Sequence, residues 1–226
     1  ALVGGSVVGS VAGKLSAIVR KSDGYGRDRL TGIEQNDTDN LALRGQLSFP
    51  VGSAGLVRVI GDFADEKNHG RTLSTISPAA ADDGDIRTSE HGHPQRFERN
   101  IRALSGHLSW TSRIGDIESI SAYRRTNIFE DFAFSSTAFS LLPRLNPASP
   151  FQQIAINRDE PRTLSQEIRL ISKRYGRFDY VAGTYYFNEA IDRQARTIRL
   201  GGQRGDTLRD QTFDQNVDTT SYAAYG

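Results

Sequence analysis

The chain has 226 residues, with 28 basic against 27 acidic side chains, a formal charge of +1, and neither Cys nor Met. A balanced charge lacks the electrostatic footprint of a nucleic-acid binder, the absence of Cys excludes disulfides and thiolate metal sites, and no run of about 18 apolar residues offers a transmembrane helix. The 22 Gly, 11 Phe and 8 Tyr favour strands and turns over helices, and the missing Met reads as a processed chain or an internal piece of a longer one.

In chain order, Leu2 to Ser10 and Lys14 to Lys21 read as weak strands, joined by a short link near residues 11–13. The clearest segment is Asn40 to Phe49. There Leu41, Leu43, Gly45, Leu47 and Phe49 fall on one face and Ala42, Arg44, Gln46 and Ser48 on the other, the period of two expected of a strand with one apolar and one wet side. A turn over Pro50 to Gly55 follows. The next strand sets Val57, Val59, Gly61 and Phe63 against Arg58, Asp62 and Ala64, with Ile60 breaking the pattern.

The same grammar returns in Ile101 to Thr111, where Leu104, Gly106, Leu108 and Trp110 alternate with Ser105, His107, Ser109 and Thr111. Asp116 to Thr126 separates its faces less cleanly, with Ile117 and Tyr123 on one and Ile120 and Ala122 on the other. Ser165 to Ser172 sets Ile168 and Leu170 against Glu167 and Arg169. After a turn at 173–177, Val181, Gly183, Tyr185 and Phe187 form a further apolar face, and Asp218 to Gly226 closes the series at about nine strands.

Links near 11–13, 50–55, 112–115 and 173–177 are short, whereas those near 22–39, 66–100, 127–162 and 190–217 are long and polar. That asymmetry describes an all-β, antiparallel up-and-down meander with long loops on one rim. Long structureless loops are rare in compact soluble domains and ordinary on one rim of a transmembrane β-barrel. The apolar face then meets lipid through Leu41, Leu43, Leu47, Val57, Val59, Leu104, Leu108, Val181 and Tyr185. Phe49, Phe63, Trp110, Tyr123 and Phe187 sit at its edges, where membrane interfaces select aromatic rings. The alternative is a soluble or surface-exposed β-sheet binding or adhesion module, in which the same side chains lie buried under a second layer.

Other chemistry is thin. Val51-Gly52-Ser53-Ala54-Gly55 has the outline of a nucleophile elbow but sits between strands, as a turn does. His91-Gly92-His93 near Asp82, Asp83 and Asp85 is a weak metal pattern in a polar loop, His69 reads as exposed, and His107 as a hydrogen-bonded residue of the polar face. Arg71, Arg87, Arg96, Arg99, Arg144, Arg196 and Arg204 fall in the long links, either gripping an anionic ligand or keeping loops solvated. No acid–base or nucleophilic constellation emerges, so neither an enzyme, a cofactor nor a metal is expected.

Val3-Gly4-Gly5-Ser6-Val7-Val8-Gly9, Gly13-Lys14-Leu15-Ser16-Ala17 and Lys21-Ser22-Asp23-Gly24-Tyr25-Gly26-Arg27 resemble early barrel strands of TonB-dependent outer-membrane receptors. Leu41 to Leu47 is similar to the strand that follows, Ser165 to Leu170 with Tyr180 to Phe187 to a later hairpin, and Ser221 to Gly226 to another strand start. The order and spacing of these pieces carry the resemblance over nearly the whole chain. It implies a bacterial outer-membrane receptor taking up a scarce ligand such as a ferric siderophore, cobalamin or glycan. The family's barrel has 22 strands around an N-terminal plug, on which an inner-membrane energising complex pulls. No plug is legible here, so residues 1–226 are expected to form a partial barrel, open as a sheet when alone, with membrane lipid and an unidentified small molecule as partners.

Overall fold

A computed structural model describes residues 1–72, 87–89, 92–133, 151–174, 177–201 and 206–226. It is all-β. The long strands are β1 (Leu2–Val8), β2 (Val11–Ser22), β5 (Thr38–Val51), β6 (Gly55–Asn68), β8 (Arg96–Thr111), β9 (Gly115–Ala133), β10 (Phe151–Ser172), β11 (Val181–Gly201) and β12 (Asp206–Tyr225), and the short ones are β3 (Gly26–Asp28), β4 (Glu34–Gln35) and β7 (Thr88–Ser89). The nine long strands form one antiparallel meander in the order β1-β2-β5-β6-β8-β9-β10-β11-β12, and the short strands a separate three-stranded sheet. The large sheet is not closed.

Directly paired residues share a face, so register assigns every side chain to one side of the sheet. Leu43 opposes Phe63, Leu47 opposes Val59, and Phe49 opposes Val57. Val57 and Gly61 in turn oppose Leu108 and Leu104, and Gly55 opposes Trp110. Tyr123 continues the row from Leu104 to Leu164. Leu41, Leu43, Leu47, Val57, Val59, Leu104 and Leu108 therefore share one apolar face with Phe49, Phe63, Trp110 and Tyr123.

Val181, Tyr185 and Phe187 do not join them. Gly183 opposes Arg169, Tyr185 opposes Glu167 and Phe187 opposes Ser165, which places all three on the charged face with Arg44 and Asp62. The strand's own alternation, Val181, Tyr185 and Phe187 against Ala182, Thr184, Tyr186 and Asn188, is overridden by the register it takes from β10. Tyr185 stacks on Phe187 on the charged side at 6.5 Å, while Tyr186 meets Tyr222 on the other at 5.2 Å. An aromatic ring on either side blunts the contrast between the faces, and backbone register decides the orientation.

The apolar face is bare. Leu43, Leu47, Leu104 and Trp110 are 37, 49, 58 and 38% exposed, and among the described residues only Ala133, Ile154 and Ala155 are buried hydrophobics. Substantial contacts run between strands adjacent in a sheet. The second layer that a sandwich requires is not found among the described residues.

The turns at 52–54 and 112–114 fall where expected. The first hairpin turns at Gly9-Ser10, ahead of the expected 11–13, with Gly9 at φ 56°. Val51 to Gly55 is a turn, with Gly52 at φ 60°. The long links are another matter, because much of 127–162 and 190–217 is strand. β9 runs to Ala133, β10 begins at Phe151, and β11 and β12 extend to Gly201 and from Asp206. These extensions mix apolar and charged residues on both faces, as in Ile128-Phe129 and Ile154-Ala155-Ile156, and are laced by cross-strand ion pairs. Arg125 Nη2 meets Glu160 Oε2 at 2.9 Å, Arg193 Nη2 meets Asp159 Oδ2 at 2.7 Å, Arg196 Nη2 meets Asp210 Oδ2 at 2.6 Å, and Arg162 pairs with Asp192. Arg96 and Arg158 flank the Phe129 ring, at 5.3 and 5.1 Å from its centroid. With apolar and charged residues mixed on both faces, these residues carry no hydrophobic alternation and read as loop.

Candidate functional site

Two features at the long-link end of the sheet are built from residues far apart in sequence. The first is the small sheet, in which Arg27 pairs antiparallel with Glu34 and parallel with Thr88. Its centre is the Asp28 carboxylate, fully buried. Oδ1 accepts the amides of Leu30 and Thr31, both at 2.9 Å, and Oδ2 accepts the amide of Gly92 at 3.1 Å. Carboxylates are tolerated out of water when backbone donors satisfy them in this way. Ser89 Oγ lies 2.8 Å from Gln35 Oε1 and 3.3 Å from Asp28 Oδ2, so its single proton goes to the nearer acceptor.

Asn36 ties this module to the link after β6. Its amide donates to the Gly70 carbonyl at 2.9 Å, its Nδ2 donates to Thr72 Oγ1 at 2.6 Å, and it adopts φ 61°. Gly70 sits at φ 77°, and a Cβ there would lie 2.5 Å from Gln95 Oε1. Gln95 is 4% exposed, and its Nε2 is buried without a hydrogen-bond partner among the described residues. Two His–Asp contacts add to the tie. His69 Nδ1 lies 2.9 Å from Asp37 Oδ2, and His93 Nε2 lies 2.6 Å from Asp131 Oδ1.

The second feature is the cavity these ties frame, about 740 Å³ in volume, lined by Tyr25, Thr38, Glu66, Arg71, Gln95, Phe97, Arg99 and Glu130 among others. That size suits a small molecule. Its charges are largely matched in place. Arg99 Nη2 meets Glu66 Oε2 at 2.6 Å, and Arg96 pairs with Glu98 at 2.5 Å. Arg71 has no partner among the described residues. The cavity thus presents paired charges, amides and aromatic rings together.

Below the cavity, the charged face continues down the sheet as paired residues. Arg44 Nε meets Asp62 Oδ1 at 2.5 Å, Arg169 Nε meets Glu118 Oε2 at 2.5 Å, and Tyr225 Oη donates to Glu167 Oε1 at 2.6 Å. Gly183 makes the last contact feasible, since any Cβ there would sit 2.5 Å from the Tyr225 ring. His107 is half-buried on this face opposite Arg58, without the hydrogen-bond partner expected of it among the described residues.

Of the arginines read in long links, Arg96, Arg99 and Arg196 lie in strands with carboxylate partners, and Arg71 lines the cavity. Arg144 and Arg204 lie outside the described residues, as do His91, Asp82, Asp83 and Asp85. Among the described residues no group of three or more His, Asp or Glu side chains is placed to hold a metal. Asp28, Gln35, Ser89 and Gln95 were not legible as a cluster. Asp28-Arg29-Leu30-Thr31-Gly32 does carry an Asx-turn signal, whereas nothing local marks Ser89 as its neighbour.

No family model and no curated protein matches the sequence. Solved structures do resemble the fold. The ferric yersiniabactin uptake receptor FyuA from Yersinia pestis aligns over 99% of this chain at a TM-score of 0.50 and 11% identity, and the siderophore receptor PiuA from Acinetobacter baumannii over 99% at 0.56 and 9%. The chain spans 40% and 36% of those two receptors. At such identities the likeness shows the fold. The nine-stranded meander is similar to part of an outer-membrane receptor barrel, and both neighbours are transport receptors rather than enzymes.

Proposed function

We propose that residues 1–226 form part of the wall of a TonB-dependent-type receptor in a bacterial outer membrane. The apolar face meets lipid and the charged face lines a hydrated interior. The cavity at the long-link rim contributes to capture of a scarce ligand of the ferric siderophore, cobalamin or glycan kind. Energy coupling would run through a plug domain to an inner-membrane complex, neither of which these residues supply. The bare apolar face carries this reading. A surface of Leu, Val and aromatic side chains across β5, β6 and β8 is the kind that soluble proteins cover, and open water would oppose it.

The single Trp of the chain makes a direct test possible. Trp110 lies on the apolar face near the short-turn end, its ring over Gly55, where a Cβ would meet Trp110 Cε3 at 2.6 Å. In phosphatidylcholine vesicles, Trp110 fluorescence is expected to be quenched more by lipids brominated near the headgroup than by lipids brominated at mid-chain. No quenching by either would refute the membrane reading.

A further inference from the structure

Three arginines stand side by side on the apolar face, in the register row that Leu43 and Phe63 begin. Leu104, Tyr123 and Leu164 form the row one step nearer the short turns. Arg102 opposes Arg125 on the next strand, and Arg125 opposes Arg162 on the strand after. Like charges directly opposed on neighbouring strands are unfavourable, because their Cβ atoms lie only about 4.5–5.5 Å apart. Two carboxylates offset the row in part. Arg125 Nη2 meets Glu160 at 2.9 Å and Arg162 pairs with Asp192. Arg102, exposed beside Phe63, has no partner among the described residues.

We propose that this row binds the phosphate of a membrane lipid in the leaflet on the long-link side. The inference rests on the membrane reading above, which sets the depth. The row holds Phe63, one of the aromatic rings at the edge of the apolar face, and rings at that edge sit at headgroup level, where an anionic lipid attracts basic side chains. Guanidinium forks match phosphate oxygens in geometry as well as charge. A phosphate between Arg102 and Arg125 supplies the negative charge that the row lacks, and a lipid source holds it at that height. The two carboxylates lie on the far side of the row from the apolar band, so they leave the membrane-facing approach open.

The test inserts the full chain into vesicles of phosphatidylcholine doped with phosphatidic acid, extracts it, and measures phosphatidic acid retained per protein relative to phosphatidylcholine. The wild-type chain should be enriched in phosphatidic acid. R102Q should lower the enrichment about fivefold, as expected for one basic side chain at an anionic surface. R124Q, which removes the same charge from the opposite face one residue away, should leave it unchanged. Inorganic phosphate added at matching concentration should not compete, because the acyl chains supply the local concentration. Absence of enrichment in the wild-type chain overturns the proposal whether or not the variants fold, as does equal loss in R102Q and R124Q, or full competition by inorganic phosphate. Trp110 quenching in the same vesicles separates the two ideas: quenching without enrichment removes only the lipid-phosphate site, whereas no quenching removes the membrane reading itself.

Discussion

β5, β6 and β8 differ from the outer lengths of β9 to β12 in what holds them together. In the first region one face is apolar and bare and the other carries charge, and the hydrophobic alternation is clean. In the second, both faces mix apolar and charged residues, and the strands are joined by Arg–carboxylate pairs on top of their backbone bonds. Both are regular antiparallel sheet. Alternation therefore records where one face of a sheet is consistently apolar, and it falls silent where charged and apolar residues share both faces.

Breaking the dry region should have the largest effect. Leu108→Arg on the apolar face is expected to cost about 2–4 kcal/mol of insertion free energy and to abolish co-flotation with phosphatidylcholine vesicles. Ala190→Arg, on the same side but in the arginine row beside Arg162, should leave flotation intact. Equal loss in the two would erase the distinction between the regions.

The loop module should respond next. Gly70→Ala adds a Cβ 2.5 Å from Gln95 Oε1 at a left-handed backbone position, a strain of about 1–3 kcal/mol. It should speed proteolysis or hydrogen exchange around residues 24–36 and 70–72 without changing insertion. Asp28→Asn places an NH₂ group against backbone donors, at a cost of about 1–3 kcal/mol. Faster exchange of the Leu30, Thr31 and Gly92 amides is the expected result, and unchanged exchange there would show that the carboxylate does not organise the module.

The smallest effect sharpens the second region. The hydrogen bonds from Arg196 hold the Asp210 carboxyl below its ordinary value. A carboxyl lowered on folding contributes stability above its unfolded pKa, and that contribution is lost as pH falls through the lowered value. Exchange of the amides around Arg196 and Asp210 should therefore accelerate on acidification below about pH 4, and Arg196→Gln should remove this pH dependence. The pair is solvent-exposed, so the change is expected to be slight.

Much of the candidate site lay beyond sequence reading for a definite reason. His69 and Asp37 are 32 residues apart, and Ser89 and Asp28 are 61 apart. Neither partner carries a local mark of the other. Polar links such as 22–39 have the composition of solvated loop whether they remain loop or pair into a small sheet, because a three-stranded patch with a polar centre leaves no hydrophobic period.

The residues themselves determined the two-faced strands, their short turns and the meander, since each depends only on neighbours at i and i+2 and on the turn between adjacent strands. Tertiary structure alone decided which way β11 faces, how far β9 to β12 extend, and that residues 26–28 meet 88–89. Register passes from strand to strand through backbone hydrogen bonds, and it turned Val181, Tyr185 and Phe187 to the charged side although their own pattern resembled that of Leu43 and Leu47.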